Sequence, residues 1–201
     1  MLGRLHLIRH GEVFNPDHLV YADLPGFHLS DQGRREAEAA ATHLAGQSID
    51  IVVSSPLERA IETAVPIAEQ LGVPLRIEPR LTEWRLLTRW AGVVWEDLAE
   101  GFPGEVDAYL THAHDLPFSP EPLDAVVARF LAVVEALGAE HSGATAALVS
   151  HQDPVQAARL ALTGRPLSEL PVDKPRHGTV ITLAAAESWA EVGRWDPPLP
   201  A

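Results

Sequence analysis

Two hydrophobic patterns alternate along the chain. Apolar runs with few polar interruptions occur at 4–9, 50–54, 74–78, 144–150, 178–184 and 189–194, and read as strands. Between them, 31–45, 56–71, 94–100, 122–140 and 154–163 are amphipathic and read as helices. The segments IDIVVSS and ATAALVSH are apolar almost throughout, as a strand is when both its faces are covered in a parallel sheet. Strands alternating with helices predict an α/β fold, a three-layer α/β/α sandwich with a mostly parallel central sheet. The stretch 80–120 breaks this rhythm with Trp, Pro and Gly, and is expected to form an excursion over one end of the sheet. The last residues, DPPLPA at 196–201, read as a tail.

Several helix starts carry local signals. Ser30 is placed to cap a helix that runs to Gly46. Ser55, Pro56 and Glu58 have the spacing of an N-cap, a first-turn proline and a capping box. Asp153 followed by Pro154 repeats the cap-then-proline arrangement.

Composition narrows the class of protein. A chain of 201 residues that is 46% hydrophobic fits one domain with a sizeable core. The most apolar helical stretch still carries Asp124, Arg129 and Glu135, so a membrane span is not expected. The N-terminal MLGRLHLIRH has charge on both sides of an apolar run too short for a secretory leader. Cysteine is absent, which excludes disulfides, thiolate metal sites and cysteine catalysis and suits a cytoplasmic protein. The net charge of −13 disfavours nucleic acid and anionic membranes as partners. The same charge repels an anionic small molecule, unless basic side chains cluster locally.

Three strand ends supply such a cluster. LHLIRHGEV ends its apolar run at Arg9 and His10, beside Gly11. A second strand ends at Ser54 and Ser55 and leads to a helix whose first turn holds Arg59. A third ends at His151, again before a helix. Ligands of open α/β sheets bind outside the carboxyl ends of the strands, where helix N-termini add N–H donors and positive potential. Two histidines and two arginines gathered there suit a compact dianion, and phosphate is the natural choice.

RHGE near the start, LSDQGRREA at 29–37, SSPLERAIETA at 54–64 and LVSHQDP at 148–154 together resemble the histidine phosphatase superfamily, the phosphoglycerate-mutase-like proteins. The resemblance covers about residues 4–185 and rests on four motifs in order. It implies that His10 is the nucleophile that accepts the phosphoryl group, and that Arg9, Arg59 and His151 hold the phosphoryl oxygens. It places the family's acid at Glu83, in RLTEW. Asn15 and Gln152 join the phosphate-binding set by position, although they depart from the usual pattern: an asparagine nearer the first motif and a glycine after the second histidine are commoner. Val13 replaces a frequent Ser or Thr, and Trp90-Ala91-Gly92 lacks a customary carboxylate. These departures concern the leaving-group pocket rather than the phosphoryl clamp.

The chemistry fits those residue types. An imidazole attacks phosphorus only while neutral, and nearby cations depress its pKa. Gly11 allows backbone to approach closely beside the nucleophile. A partly buried carboxyl with a raised pKa can protonate the leaving alkoxide and then activate water. Among the other titratable residues, His112 and His114 in THAHD lack metal-ligand spacing on one helix face. His177 precedes a strand and reads as a loop residue at the pocket edge. Trp84, Trp90 and Trp95 read as packing or pocket wall. The expected function is a metal-independent phosphomonoesterase acting on a small phosphorylated metabolite through a phosphohistidine, with no cofactor. A cofactor-dependent phosphoglycerate mutase and a non-catalytic phosphate-binding protein are the alternatives. Mutases of this family tend to be longer, with insertions that enclose the substrate. Neither the natural substrate nor the oligomeric state is written in the sequence, and a homodimer stays open.

Overall fold

In a computed structural model of the protein, which describes residues 1–198, the alternating pattern folds around one six-stranded sheet. Its strands are β1 (Arg4–Arg9), β2 (Ile51–Ser54), β3 (Leu75–Ile77), β4 (Thr145–Ser150), β5 (Val180–Ala185) and β6 (Trp189–Trp195), in the spatial order β3-β2-β4-β1-β5-β6. The first four pair in parallel. β5 runs against β1, and β6 runs against β5. The sheet is mostly parallel, and the start of β5 therefore lies at the same edge as the ends of β1, β2 and β4.

The helices are α1 (Asp31–Leu44), α2 (Glu58–Leu71), α3 (Leu98–Gly101), α4 (Glu105–His112), α5 (Leu123–Glu140) and α6 (Gln152–Leu162). Side chains alternate across a strand, so Leu5 and Leu7 pack with Phe130, Leu137, Val155 and Ala158 of α5 and α6. Ile8 faces the other way, toward Ala40 and Leu44 of α1 and Ala60 and Ile67 of α2. Each such leucine or isoleucine contributes about 1.5–3 kcal/mol when fully buried. None of the described helices is long and apolar enough to cross a membrane.

The excursion has its own small core. Trp84, Trp90, Leu98, Tyr109 and Leu116 pack against Val126, Ala157 and Leu160. The indoles are satisfied, Trp84 Nε1 donating to the Glu121 carbonyl at 2.8 Å and Trp90 Nε1 to Glu105 at 3.0 Å. Of the expected tail, Asp196 accepts from Thr179 Oγ1 at 2.5 Å and Pro197 is buried; residues 199–201 lie outside the described residues.

Ser30 caps α1, accepting from Gly33 N at 3.0 Å. That helix stops at Leu44 with Ala45 right-handed, so Gly46 is not its terminator. The other two cap readings are corrected. Helix α2 starts at Glu58 behind Leu57, so Ser55 is not its N-cap; Ser55 Oγ bonds to His151 Nε2 at 2.7 Å and accepts from Leu57 N at 3.3 Å, and Glu58 accepts from Gly26 N at 2.6 Å. Helix α6 starts at Gln152 with His151 as its N-cap, and Asp153 turns to Tyr109 and Lys174. In both cases a residue with good capping chemistry sits just after a strand end, where it joins a tertiary polar network.

Gly11 does permit a close approach, and the partner is helix α1. A Cβ on Gly11 would lie 2.5 Å from the Gly33 carbonyl oxygen, and one on Gly33 would lie 2.0 Å from that of Glu12. Two glycines thus let the start of α1 press onto the loop that carries His10.

Candidate active site

His10 follows β1 directly and is only 1% exposed. Its backbone N–H continues the parallel ladder by donating to the Ser150 carbonyl at 3.0 Å. Its Nδ1 lies 2.7 Å from the Gly11 carbonyl oxygen. A carbonyl only accepts, so Nδ1 carries the ring proton and Nε2 holds the lone pair. Arg59 Nε points at that lone pair from 3.3 Å. Burial first, then the charges of Arg59, His151 and Arg9, hold the His10 pKa well below the ordinary imidazole value.

The other strand-end residues surround this ring. His151, at the end of β4, is fully buried with its ring centroid 5.1 Å from that of His10. Its Nδ1 is buried without a hydrogen-bond partner. Burial and the neighbouring arginines, Arg59 foremost, lower its pKa as well. Arg59 reaches from the first turn of α2, with its guanidinium 4.7 Å above the Tyr21 ring and Nη2 donating to the Ala22 carbonyl at 2.6 Å. Ala22 holds that carbonyl in place from a left-handed conformation, φ 41°. Arg9 donates from Nη1 to the Pro175 carbonyl at 3.0 Å and from Nη2 to His177 Nε2 at 2.7 Å, leaving its buried Nε unpaired.

Glu83 arrives from the excursion. It is 8% exposed, accepts from Trp84 N at 2.8 Å, and lies 3.8 Å from His151 Nδ1. Burial and the carboxylate of Asp153 push its pKa up to about 7, against the opposing charges of Arg59 and Arg9. Asp153 accepts from Tyr109 Oη at 2.9 Å and from Lys174 Nζ at 2.7 Å.

Arg9, His10, Glu83, Gln152 and Asp153 open onto a cavity of about 170 Å³, whose remaining wall is Leu19, Val20, Tyr21, Ala22, Leu87, Trp95 and Tyr109. Arg59 and His151 stand behind the wall, against His10. Pockets for drug-sized ligands span about 300–1,000 Å³, so this one takes a smaller molecule. Asn15 is not on the wall: both ends of its amide are tied to the backbone of Leu19, at 2.9 and 3.1 Å. Gln152 is on it, with Nε2 donating to the Pro175 carbonyl at 3.2 Å. His112 and His114 are exposed, and among the described residues no three His, Asp or Glu side chains group as a metal-holding set.

The sequence matches the histidine phosphatase superfamily (branch 1) over residues 5–196. This chain belongs to that superfamily. It is 34% identical over 177 residues to the glucosyl-3-phosphoglycerate phosphatase of Mycolicibacterium vanbaalenii, covering 84% of this chain and 78% of that protein. It is 32% identical over 168 residues to phosphoserine phosphatase 1 of Hydrogenobacter thermophilus, covering 83% and 79%. Its fold superposes on a mycobacterial glucosyl-3-phosphoglycerate phosphatase in complex with VO3 with a TM-score of 0.84, at 29% identity, over 94% of this chain and 96% of that one. As a histidine phosphatase the chain is a phosphoric monoester hydrolase for small metabolites.

Sequence reasoning assigned no role at this phosphatase site to Tyr109, Asp153 or Lys174, and left His177 at the pocket edge. Tyr109 and Lys174 carry no local signal, because they meet Asp153 from 44 and 21 residues away. His177 had one: it lies just before β5, the strand that runs against β1, and β5 starts where the parallel strands finish.

Proposed function

We propose that this protein hydrolyses a small phosphorylated metabolite through a phosphohistidine on His10, with Glu83 as the proton donor. The observation that carries the proposal is the contact between His10 Nδ1 and the Gly11 carbonyl. The Nδ1–H donates to that oxygen, so a neutral ring presents the Nε2 lone pair where Arg59 converges.

In the first step Nε2 attacks phosphorus in line, the ester P–O bond breaks, and Glu83 passes its proton to the departing alkoxide. Arg9, Arg59 and His151 meet the charge on the transferring phosphoryl oxygens. Gln152 adds a donor at the rim. In the second step Glu83, now a carboxylate, takes a proton from water as that water attacks phosphorus, the P–N bond breaks, and inorganic phosphate leaves. Asn15 supports the wall by fixing the backbone at Leu19. A cytoplasmic setting goes with this reading, since the substrates are phosphorylated metabolites.

The test uses ³²P-labelled substrate quenched in acid and in base. Wild type is expected to trap an acid-labile, base-stable label, and His10→Ala to stay folded with no label and no turnover. Label retained on His10→Ala sinks the nucleophile assignment. Conversion of 3-phosphoglycerate to its 2-isomer without phosphate release would instead mark a mutase.

A further inference from the structure

Resting on that phosphatase reading, we infer that the natural leaving group is an uncharged alcohol with an apolar face, seated against Tyr21, Leu87 and Trp95. The cavity wall is of two unlike kinds. Arg9, His10, Glu83 and Gln152 make its phosphoryl-binding part. The rest is mostly apolar, Leu19, Val20, Tyr21, Leu87 and Trp95, together with Tyr109 and Asp153. Trp95 is 40% exposed, a large apolar ring left open at the mouth.

The charge in this part of the wall is that of Asp153, and it is matched. Asp153 is paired with Lys174 at 2.7 Å, and Lys174 also sits 4.4 Å from the centre of the Tyr109 ring. Arg89 lies off the wall and is held by Glu105 at 2.7 and 2.8 Å. Glu96 is paired with His18 at 3.0 Å. Arg59 lies over Tyr21, but its Nε faces His10 and its Nη2 is spent on Ala22. Arg85 is exposed and off the wall. A carboxylated leaving group would therefore meet the carboxylate of Asp153, while Arg9, the cation on the wall, is committed to the phosphoryl group. An aminated one would find Asp153 already engaged by Lys174. An alcohol without charge leaves that pair intact.

Three alkyl esters with similar leaving oxygens separate these cases: 2-phenylethyl phosphate, O-phosphoserine and O-phosphoethanolamine. Their kcat/KM is measured on wild type, and their binding by calorimetry on His10→Ala. The neutral ester is expected to lead both charged ones by about 10- to 100-fold in both measurements, the loss typical of a charge facing a wall that cannot pair it. Trp95→Ala should lower the neutral ester selectively, and Leu87→Arg should narrow the gap to phosphoserine. A general structural defect would lower all three together. Phosphoserine or phosphoethanolamine equal to or ahead of the neutral ester, or no binding of the neutral ester to His10→Ala, overturns the inference. Selective binding of the neutral ester with no phosphate release by wild type would instead overturn the phosphatase reading and leave the pocket preference standing.

Discussion

Glu83 Oε2 and His151 Nδ1 face each other at 3.8 Å, and the histidine nitrogen has no hydrogen-bond partner. The gap is too long for a hydrogen bond. Both groups are biased toward neutrality: burial raises the Glu83 pKa to about 7 and lowers that of His151. Below about pH 7 the free site thus holds a carboxylic acid beside an uncharged ring. Charge appears there only when the acid gives up its proton.

Removal of that acid should depend on the leaving group. General acid catalysis is typically worth about 10²–10⁴ in rate. Glu83→Gln is expected to slow phosphoenzyme formation by something near that range with an alkyl phosphate, whose alkoxide needs a proton. With nitrophenyl phosphate, whose phenolate leaves unaided, the loss should be much smaller. Single-turnover rates isolate this step. Equal losses on the two substrates would strip Glu83 of the role.

The pH profile should show the same group. Glu83 acts protonated, so kcat/KM for an alkyl ester is expected to fall as pH rises through about 7, the value to which burial and Asp153 lift its pKa. His10 acts neutral and its pKa is depressed, so the acid limb should lie below the ordinary imidazole range. Asp153→Asn takes away a carboxylate that raises the Glu83 pKa, and should shift the basic limb to lower pH. A limb that stays in place would mean that Asp153 does not act on the acid.

Arginines supply positive charge to the phosphoryl group, so turnover should persist in excess EDTA. Vanadate, which takes the trigonal-bipyramidal geometry of phosphoryl transfer, should inhibit competitively. Loss of activity on chelation, restored by zinc or magnesium, would contradict the proposed mechanism.

Gly33→Ala tests the contact between α1 and the nucleophile loop. The added methyl would lie 2.0 Å from the Glu12 carbonyl oxygen, and backbone cannot yield as a flexible side chain does. Overpacking of this kind costs about 1–3 kcal/mol, or roughly 2–12 °C in Tm for a chain of this size. Activity should fall with it. Gly46→Ala is the control, because a Cβ there meets nothing within 4 Å. Equal melting temperatures for the two variants would refute the close approach.

The strands were legible because burial on both faces leaves an unbroken apolar run, as at Val52-Val53 and Leu148-Val149. The neighbourhood of His10, Arg59 and His151 was legible because parallel strands finish at one edge. What stayed hidden was tertiary. Ser55 and Asp153 have sound capping chemistry, yet neither is a helix N-cap: Ser55 is tied to a buried imidazole as well as to Leu57 N, and Asp153 to a lysine and a tyrosine. Asn15 looked like a phosphate donor, but its amide is consumed by Leu19. His177 was judged by the rule for parallel strands, and the reversed direction of β5 inverts that rule. The resemblance pointed to Glu83 by its place in RLTEW, and the excursion brings it beside the histidines by folding on its own core.

Arg59 also limits how such a pocket can diverge. One guanidinium aims at His10, covers Tyr21 and holds the strained carbonyl of Ala22. Drift at Tyr21 or Ala22 would disturb the phosphoryl clamp along with the wall. Leu87 and Trp95 belong to the excursion and make no such contact with the clamp, so their side chains can change while the chemistry is kept. New substrate preferences have an open route at those two positions, and selection for turnover holds the facing side fixed.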